Sequence, residues 1–301
     1  MTTLAEKPVI ETKAPKDPHD SFSVARSPVY LACALIAAVW LIPALGLMIS
    51  SFRTPSAIRG TGWWTVFGSL FDAGTWTVEN YSTVLDQGFS NSFANSLAVT
   101  IPAVVIPITV AAFAAYAFAW MDFPGRTLLF AAVVGLMVVP LQMTLIPILR
   151  IYTGLGITGT FPGVWLAHTG FGLPLAVYLL RNYMGSLPSS LIESAEIDGA
   201  DHFKIFTRLI IPLSMPVLAA FATLQFLWVW NDYLVALVFL GVANPDSTVL
   251  TVDLAALKGR GEGALSLMPA GAMVSMILPL VVFFGLQKFF VRGLTAGSVK
   301  G

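Results

Sequence analysis

Six long apolar runs alternate with short polar segments along the chain, and each run is long enough for a membrane span. They cover Val29 to Ser50, Phe93 to Trp120, Thr127 to Leu149, Phe161 to Leu180, Pro212 or Met215 to Gly241, and Leu267 to Phe290. The pattern predicts an all-α membrane protein with six transmembrane helices. Pro102 and Pro107 should kink the second span, where neighbouring helices can satisfy the freed carbonyls. The third span holds Pro140, Gln142 and Pro147, and tight turns are expected at residues 121–126 (MDFPGR) and through Gly154, Gly156 and Gly159.

The polar stretches differ in character. Residues 1–27 hold Pro8, Pro15, Pro18 and the basic residues Lys7, Lys13, Lys16 and Arg26, and read as a disordered cytoplasmic tail. They are too long and too acidic for the start of a signal peptide, so the first span is expected to be retained. Ser51 to Ser92 carries Trp63, Trp64, Trp76 and Tyr81. Such aromatics mark either the lipid interface or an external surface that meets another protein. Residues 242–266 form a second polar loop.

The most informative polar stretch is ESAEIDGADHFKIFTRLIIPLSMP, Glu193 to Pro216. Ser190 followed by Glu193 has the form of a capping box, which predicts a helix from Leu191. Gly199 permits the left-handed backbone that closes such a helix. Asp201 can cap a second helix carrying Phe203, Phe206 and Leu209 at helical spacing towards Pro212. Two short helices with charged and apolar faces form either an amphipathic loop on the membrane surface or a contact for a partner protein. In the second reading Glu193 and Asp198 accept hydrogen bonds from basic partner residues, and Phe203 and Phe206 are apolar anchors. The alternative, that both phenylalanines pack the loop onto its own membrane helices, stays open.

Composition agrees with the lipid assignment. Hydrophobic residues make up 56% of the 301 and charged residues 11%, against about 25% charged in soluble domains. Mean hydropathy is +0.81. Lys and Arg number 16, as do Asp and Glu, so nothing points to a nucleic-acid partner. With the amino terminus inside, eleven of those 16 basic residues fall on the cytoplasmic side and five outside. The positive-inside rule therefore predicts both termini, and the Glu193 loop, in the cytoplasm of a bacterial cell.

Several chemistries are excluded. There is no G-x-x-x-x-G-K-[ST], H-E-x-x-H or G-x-S-x-G, so no ATP site of the P-loop kind and no recognised catalytic constellation. A lone Cys33 rules out an intramolecular disulfide, and it should be a small buried hydrophobe. No metal site is expected. His168 lies within the fourth span, where a hydrogen bond to a neighbouring helix or a ligand role are both open. Asp232, near a span end, should lie at the interface, line a wet cavity or pair with a neighbour. Aromatic and amide residues suited to lining a path for a polar solute are Gln142, His168, Gln225, Trp228 and Asn231, which alternatively bond between helices.

The loop resembles the EAA loop of ABC importer permeases in Glu193, Ala195, Asp198, Gly199, Ala200, Phe206, Pro212 and Leu213, with Ser194 in place of the first alanine of the pair. The six-span layout, W-N-D-Y at 230–233 and R-G-L-T-A-G-S-V-K-G at 292–301 are similar to the carbohydrate-uptake, MalG-like branch of that family. The resemblance implies a type I permease fold over residues 28–291, with a cytoplasmic coupling helix in residues 189–211 seated in an ATPase cleft. It implies a MalF-like second permease, two ATPase subunits that bind ATP and Mg, and an extracellular sugar-binding protein. Residues 242–266 would dock the binding protein. The tail 292–301, with Gly293, Gly297 and Lys300, would reach the ATPases. No cofactor would sit on this chain itself. The implied activity is ATP-driven import of a sugar or oligosaccharide, with a leaning to α-glucosides. Import of glycerol 3-phosphate or another solute by the same architecture is the rival, followed by a stand-alone secondary transporter.

Overall fold

The computed structural model describes residues 27–68, 71–241, 245–259 and 264–295. The helices are α1 (Ser27–Ser51), α2 (Pro55–Gly60), α3 (Glu79–Val84), α4 (Ser90–Trp120), α5 (Arg126–Gly135), α6 (Leu141–Leu155) and α7 (Phe161–Met184). They continue as α8 (Ser189–Ile197), α9 (His202–Ile205), α10 (Ile211–Leu213), α11 (Met215–Trp230), α12 (Leu234–Leu240), α13 (Leu250–Leu257) and α14 (Ala264–Thr295). Among the described residues there is no strand; one isolated bridge pairs Arg53 with Trp76.

Two compact units divide at Gly46–Leu47. The first is most of α1, an apolar helix whose Leu31, Leu35 and Trp40 side chains lie exposed. Cys33 is exposed there as well, contrary to the expectation of a buried thiol. A helix that is apolar on every side suits lipid as its surroundings.

The second unit is built on α4, which packs chiefly against α7 and α11, while α11 packs on α14. Small residues make this possible. Ala103, Ala111, Ala112 and Ala115 of α4 are buried, as are Gly163, Ala167, Gly172 and Ala176 of α7. In a bilayer, where lipid tails match side chains in apolarity, such residues let backbones approach and gain dispersion contacts. α4 runs on through Pro102 and Pro107 without interruption. Its 31 residues span about 46 Å at 1.5 Å per residue, more than the ~30 Å hydrocarbon core. Thr160 caps α7 by accepting from the Gly163 N–H, and Pro162 sits where no helical donor is needed.

Four helices are long and apolar enough to cross a membrane, or up to six if each of two bent pairs is one span. The third predicted span is therefore not a straight rod. Arg126–Val138 and Leu141–Leu155 meet at 104°. Val139 and Pro140 are extended there, because proline lacks the N–H that a helix needs and disfavours the helical region for the residue before it. The fifth is also broken. His202–Leu213 and Met215–Trp230 meet at 71°, and α11 ends at Trp230, with α12 beginning only at Leu234. Gly125, Gly156 and Gly159 take the positive φ of 80°, 71° and 79° that the predicted turns require.

The segments between the long helices are also ordered. Asn80 donates to the carbonyls of Ser51 (3.0 Å) and Arg53 (2.9 Å), folding residues 51–80 back on themselves. The buried Arg53 guanidinium donates to the Ala57 carbonyl at 2.8 Å and to the Thr61 carbonyl at 3.2 Å. In the loop before α14, the described part includes α13, whose Leu250, Val252 and Leu257 are buried. The predicted tail 292–301 begins inside α14, which extends to Thr295; Gly297 and Lys300 lie outside the described residues, as do residues 1–26.

Candidate functional site

The surface loop is anchored on one side and open on the other. Its first helix starts at Ser189, not Leu191. Pro188 is extended and precedes it without a side-chain cap. Ser190 therefore lies inside the helix, where its carbonyl accepts from the Ser194 hydroxyl at 2.7 Å, so Ser190 and Glu193 form no capping box. The end of α8 follows the predicted chemistry. Gly199 has φ +76°. The N–H of Ala200 bonds to the Ala195 carbonyl at 2.9 Å, and that of Gly199 to the Glu196 carbonyl at 3.0 Å. Those two bonds together are a Schellman closure. Asp201 then caps α9 through a 2.7 Å bond from the Lys204 N–H.

Ile192, Ile205, Phe206 and Ile210 face inward. Phe206 stacks on Phe113 of α4 with ring centroids 4.6 Å apart and lies 5.3 Å from the Tyr116 ring. The Tyr116 hydroxyl and His202 Nδ1 are 3.0 Å apart. Phe206 is thus not free to anchor a partner; it fixes the loop to α4. The opposite face presents Ile197, 87% exposed, and Phe203, 66% exposed, beside exposed Glu193 and Asp198. Pro212 is exposed at the start of α10. A groove of about 400 Å³ runs between α8 and the following turn, lined by Leu191, Ala195, Asp198, Ala200, Lys204 and Arg208 among others.

A second cluster lies among the long helices. His168 of α7 is buried, and its Nε2 stands 3.9 Å from Oδ2 of Asp232. Asp232 occupies the break between α11 and α12, and the same oxygen accepts the Ala236 N–H at 3.0 Å. Gln225 is 2% exposed and donates to the carbonyls of Ala103 (3.2 Å) and His168 (3.4 Å), joining α4, α7 and α11. Asn231 is exposed and donates to the Leu227 carbonyl of its own helix at 2.7 Å. Gln142 and Trp228 face a groove of about 690 Å³ formed by the α5–α6 bend and α7, whose other walls include Thr144, Tyr152 and Phe171. Of the five path candidates, two therefore line the groove, His168 and Gln225 lie in the polar cluster, and Asn231 stands apart.

Residues 92–296 match the family described as binding-protein-dependent transport system inner membrane component. The chain belongs to that family. It is a transport subunit of an ABC system and a multi-pass membrane protein, and in this family ATP hydrolysis resides in separate subunits. An osmoprotective compounds uptake permease, GgtD of Synechocystis sp., is 58% identical over 91% of this chain and 92% of its own length. An alpha-glucoside transport system permease, AglG of Rhizobium meliloti, is also 58% identical, over 75% of this chain and 60% of that protein. A crystal structure of a bacterial alginate ABC transporter, in complex with an alginate pentasaccharide-bound periplasmic protein, aligns with TM-score 0.63 at 14% identity. That alignment covers 89% of this chain and 96% of the aligned one.

The permease holds functional candidates that sequence reasoning did not single out. Ile197 was one, since an isoleucine inside an amphipathic helix reads as core. Ser92, Asn95 and Ser96 were others. Ser92 Oγ donates to Asp253, Asn95 to the carbonyls of Asp246 (2.7 Å) and Thr248 (3.0 Å), and the Leu250 N–H to Ser96 Oγ (2.9 Å). Their spacing of three and four residues at the head of an apolar span is a readable polar stripe. The approach of His168 to Asp232 has no local signature, because 64 residues separate them.

Proposed function

We propose that this chain is one of two permeases of an ATP-driven importer for a sugar or oligosaccharide, with α-glucosides the first class to try. The names borne by its relatives support a carbohydrate or osmoprotective solute. The observation that carries the coupling role is the two-faced loop. Its inner side is locked to α4 through Phe206 and Tyr116, while Ile197 and Phe203 stand out with acids beside them. Exposed apolar side chains ringed by charges suit a partner cleft. Seated there, the loop would transmit rigid-body motion of the ATPase to the membrane helices, because packed contacts shift as units. Glu193 and Asp198 would accept hydrogen bonds from basic residues of the ATPase, which also holds the ATP and Mg.

In this reading both termini are cytoplasmic, by the distribution of basic residues. The loop before α14 faces a sugar-binding protein outside, and a MalF-like permease forms the other half of the path. The tail with Gly293, Gly297 and Lys300 reaches the ATPases. The test is a pull-down from native membranes with tagged wild type and Glu193→Lys. An ATPase and a second permease recovered with wild type, and the ATPase lost from the variant, is the expected result. A chain that purifies alone and still moves solute in vesicles would replace the importer by a secondary transporter.

A further inference from the structure

Beside the large groove lies a small, partly open chamber of about 40 Å³. That is room for a single water or hydroxyl group. Leu141, Phe171 and Trp228 line both spaces, so the two adjoin at these residues. The chamber side is polar. His168, Gln225 and Asp232 contribute to its wall, together with Gly172.

Gln225 is the decisive residue. Its amide nitrogen is committed to the Ala103 and His168 carbonyls, and its Oε1, though buried, has no hydrogen-bond partner. Gly172 lets this amide pack close, since a Cβ at that position would lie 2.6 Å from Oε1, 2.7 Å from Nε2 and 2.9 Å from Cδ. The Asp232 carboxyl accepts backbone N–H groups at the start of α12, from Ala236 at 3.0 Å and from Val235 and Leu234, and a carboxylate offers about four acceptor sites. His168 Nε2 at 3.9 Å is too far for a direct bond to it, so both groups keep capacity for a third. Gln225 Oε1 is therefore the acceptor left open in the chamber, beside an imidazole that can donate or accept, and an O–H group suits both. The groove in front has no charged residue in its walls, and the chamber has a carboxyl but no Lys or Arg. A phosphorylated solute would bring its charge next to Asp232 with nothing to offset it.

We infer that this chamber is a hydroxyl-binding subsite for an uncharged polyhydroxylated solute, whose apolar ring face rests on the Trp228 indole while one hydroxyl reaches Gln225 Oε1 and Asp232. Trp228 is 59% exposed, which leaves a broad indole surface for such a contact. The assignment rests on the importer reading and sharpens it, because it selects neutral sugars over glycerol 3-phosphate.

The experiment uses the whole importer reconstituted with its partner subunits in vesicles. Radiolabelled sucrose, maltose, trehalose and glycerol 3-phosphate are the probes, and solute accumulated and ATP hydrolysed are read together. Trp228→Ala and Asp232→Asn should each lower sugar moved per ATP by about tenfold, while Trp228→Tyr, which keeps an aromatic face, should retain most of it. Loss of ATP hydrolysis or of assembly would also follow from a purely structural role, so the ratio is the deciding quantity. Trp228, being largely exposed, is the variant least able to disturb the fold. An unchanged ratio in both variants overturns the subsite and leaves the importer standing. Wild-type accumulation of glycerol 3-phosphate, with none of the three sugars, overturns the sugar reading and the subsite together.

Discussion

The hydroxyl of Thr251 donates to the main-chain carbonyl of Asp232 across 2.6 Å. This bond ties the start of α13 to the break that follows α11, while the Asp232 side chain holds the Ala236 N–H of α12. One residue thus anchors the loop before α14 through its backbone and α12 through its carboxyl. Ser92, Asn95 and Ser96 fasten the same loop to α4. A displacement of α13 must therefore carry the break with it, and the break borders the polar chamber.

Thr251→Val keeps the shape of the side chain and removes this donor. The change should cost about 1 kcal/mol, the usual net worth of one such bond. Melting of the purified complex should fall by a few degrees, and, on the importer reading proposed above, stimulation of ATP hydrolysis by a binding protein should weaken. An unchanged melting point together with full stimulation would show that the loop and the break move independently.

Two glycines two residues apart on α7, and so on different faces, should respond in opposite directions. A Cβ at Gly170 meets nothing within 4 Å, so Gly170→Ala gains helix propensity, roughly 0.5–1 kcal/mol. A Cβ at Gly172 would sit 2.6 Å from Gln225 Oε1, forcing that side chain off the Ala103 and His168 carbonyls. Gly172→Ala should therefore destabilise by about 1–3 kcal/mol despite the better propensity. Thermal melting of the two variants side by side decides it; equal shifts would mean that Gln225 relaxes freely.

Why some of this was legible and some was not follows from what local sequence encodes. The apolar runs located every long helix, and the turn chemistry at Gly199 and Asp201 appeared where the residues require it, since both effects act within a few residues. The bend at Pro140 and the helix break at Asn231 were hidden inside runs that hydropathy reads as uniform. Proline at position 140 gave a cue, but Pro102 and Pro107 gave the same cue inside a helix that stays unbroken. The helix that stays unbroken is the one packed on α7 and α11, whereas the Pro140 bend follows a run of exposed residues, 135–140. The orientation of Phe203 and Phe206 was open for a related reason: three residues apart across a π turn, one faces α4 and the other faces out. The polar cluster joins residues from α4, α7 and α11, and no window along the chain contains it.

Gly199→Val tests the loop's turn without touching its neighbours. There is open space around this position, so the whole penalty is the positive φ of 76°, which costs a β-branched residue about 1–2 kcal/mol. The Schellman closure should loosen, Ile197 and Phe203 should lose their fixed separation, and less ATPase should be recovered with the tagged permease. Recovery equal to wild type would count against the loop as the coupling element.

The sharpest separation of packing from docking comes from the two loop phenylalanines. Phe206 is 5% exposed and sits between Phe113 and Tyr116, so Phe206→Ala opens a cavity and should destabilise the permease by about 3–5 kcal/mol. Phe203 is 66% exposed and contributes little to the fold, so Phe203→Ala should leave melting of the isolated permease within about 0.5 kcal/mol of wild type. If Phe203 is an anchor in the ATPase cleft, the same variant should weaken ATPase recovery by about tenfold or more, since truncating a central aromatic contact commonly costs about 2 kcal/mol. A Phe203 variant that melts normally and binds the ATPase normally would remove the anchor role. The loop's contact would then have to run through Ile197 and the acids of α8.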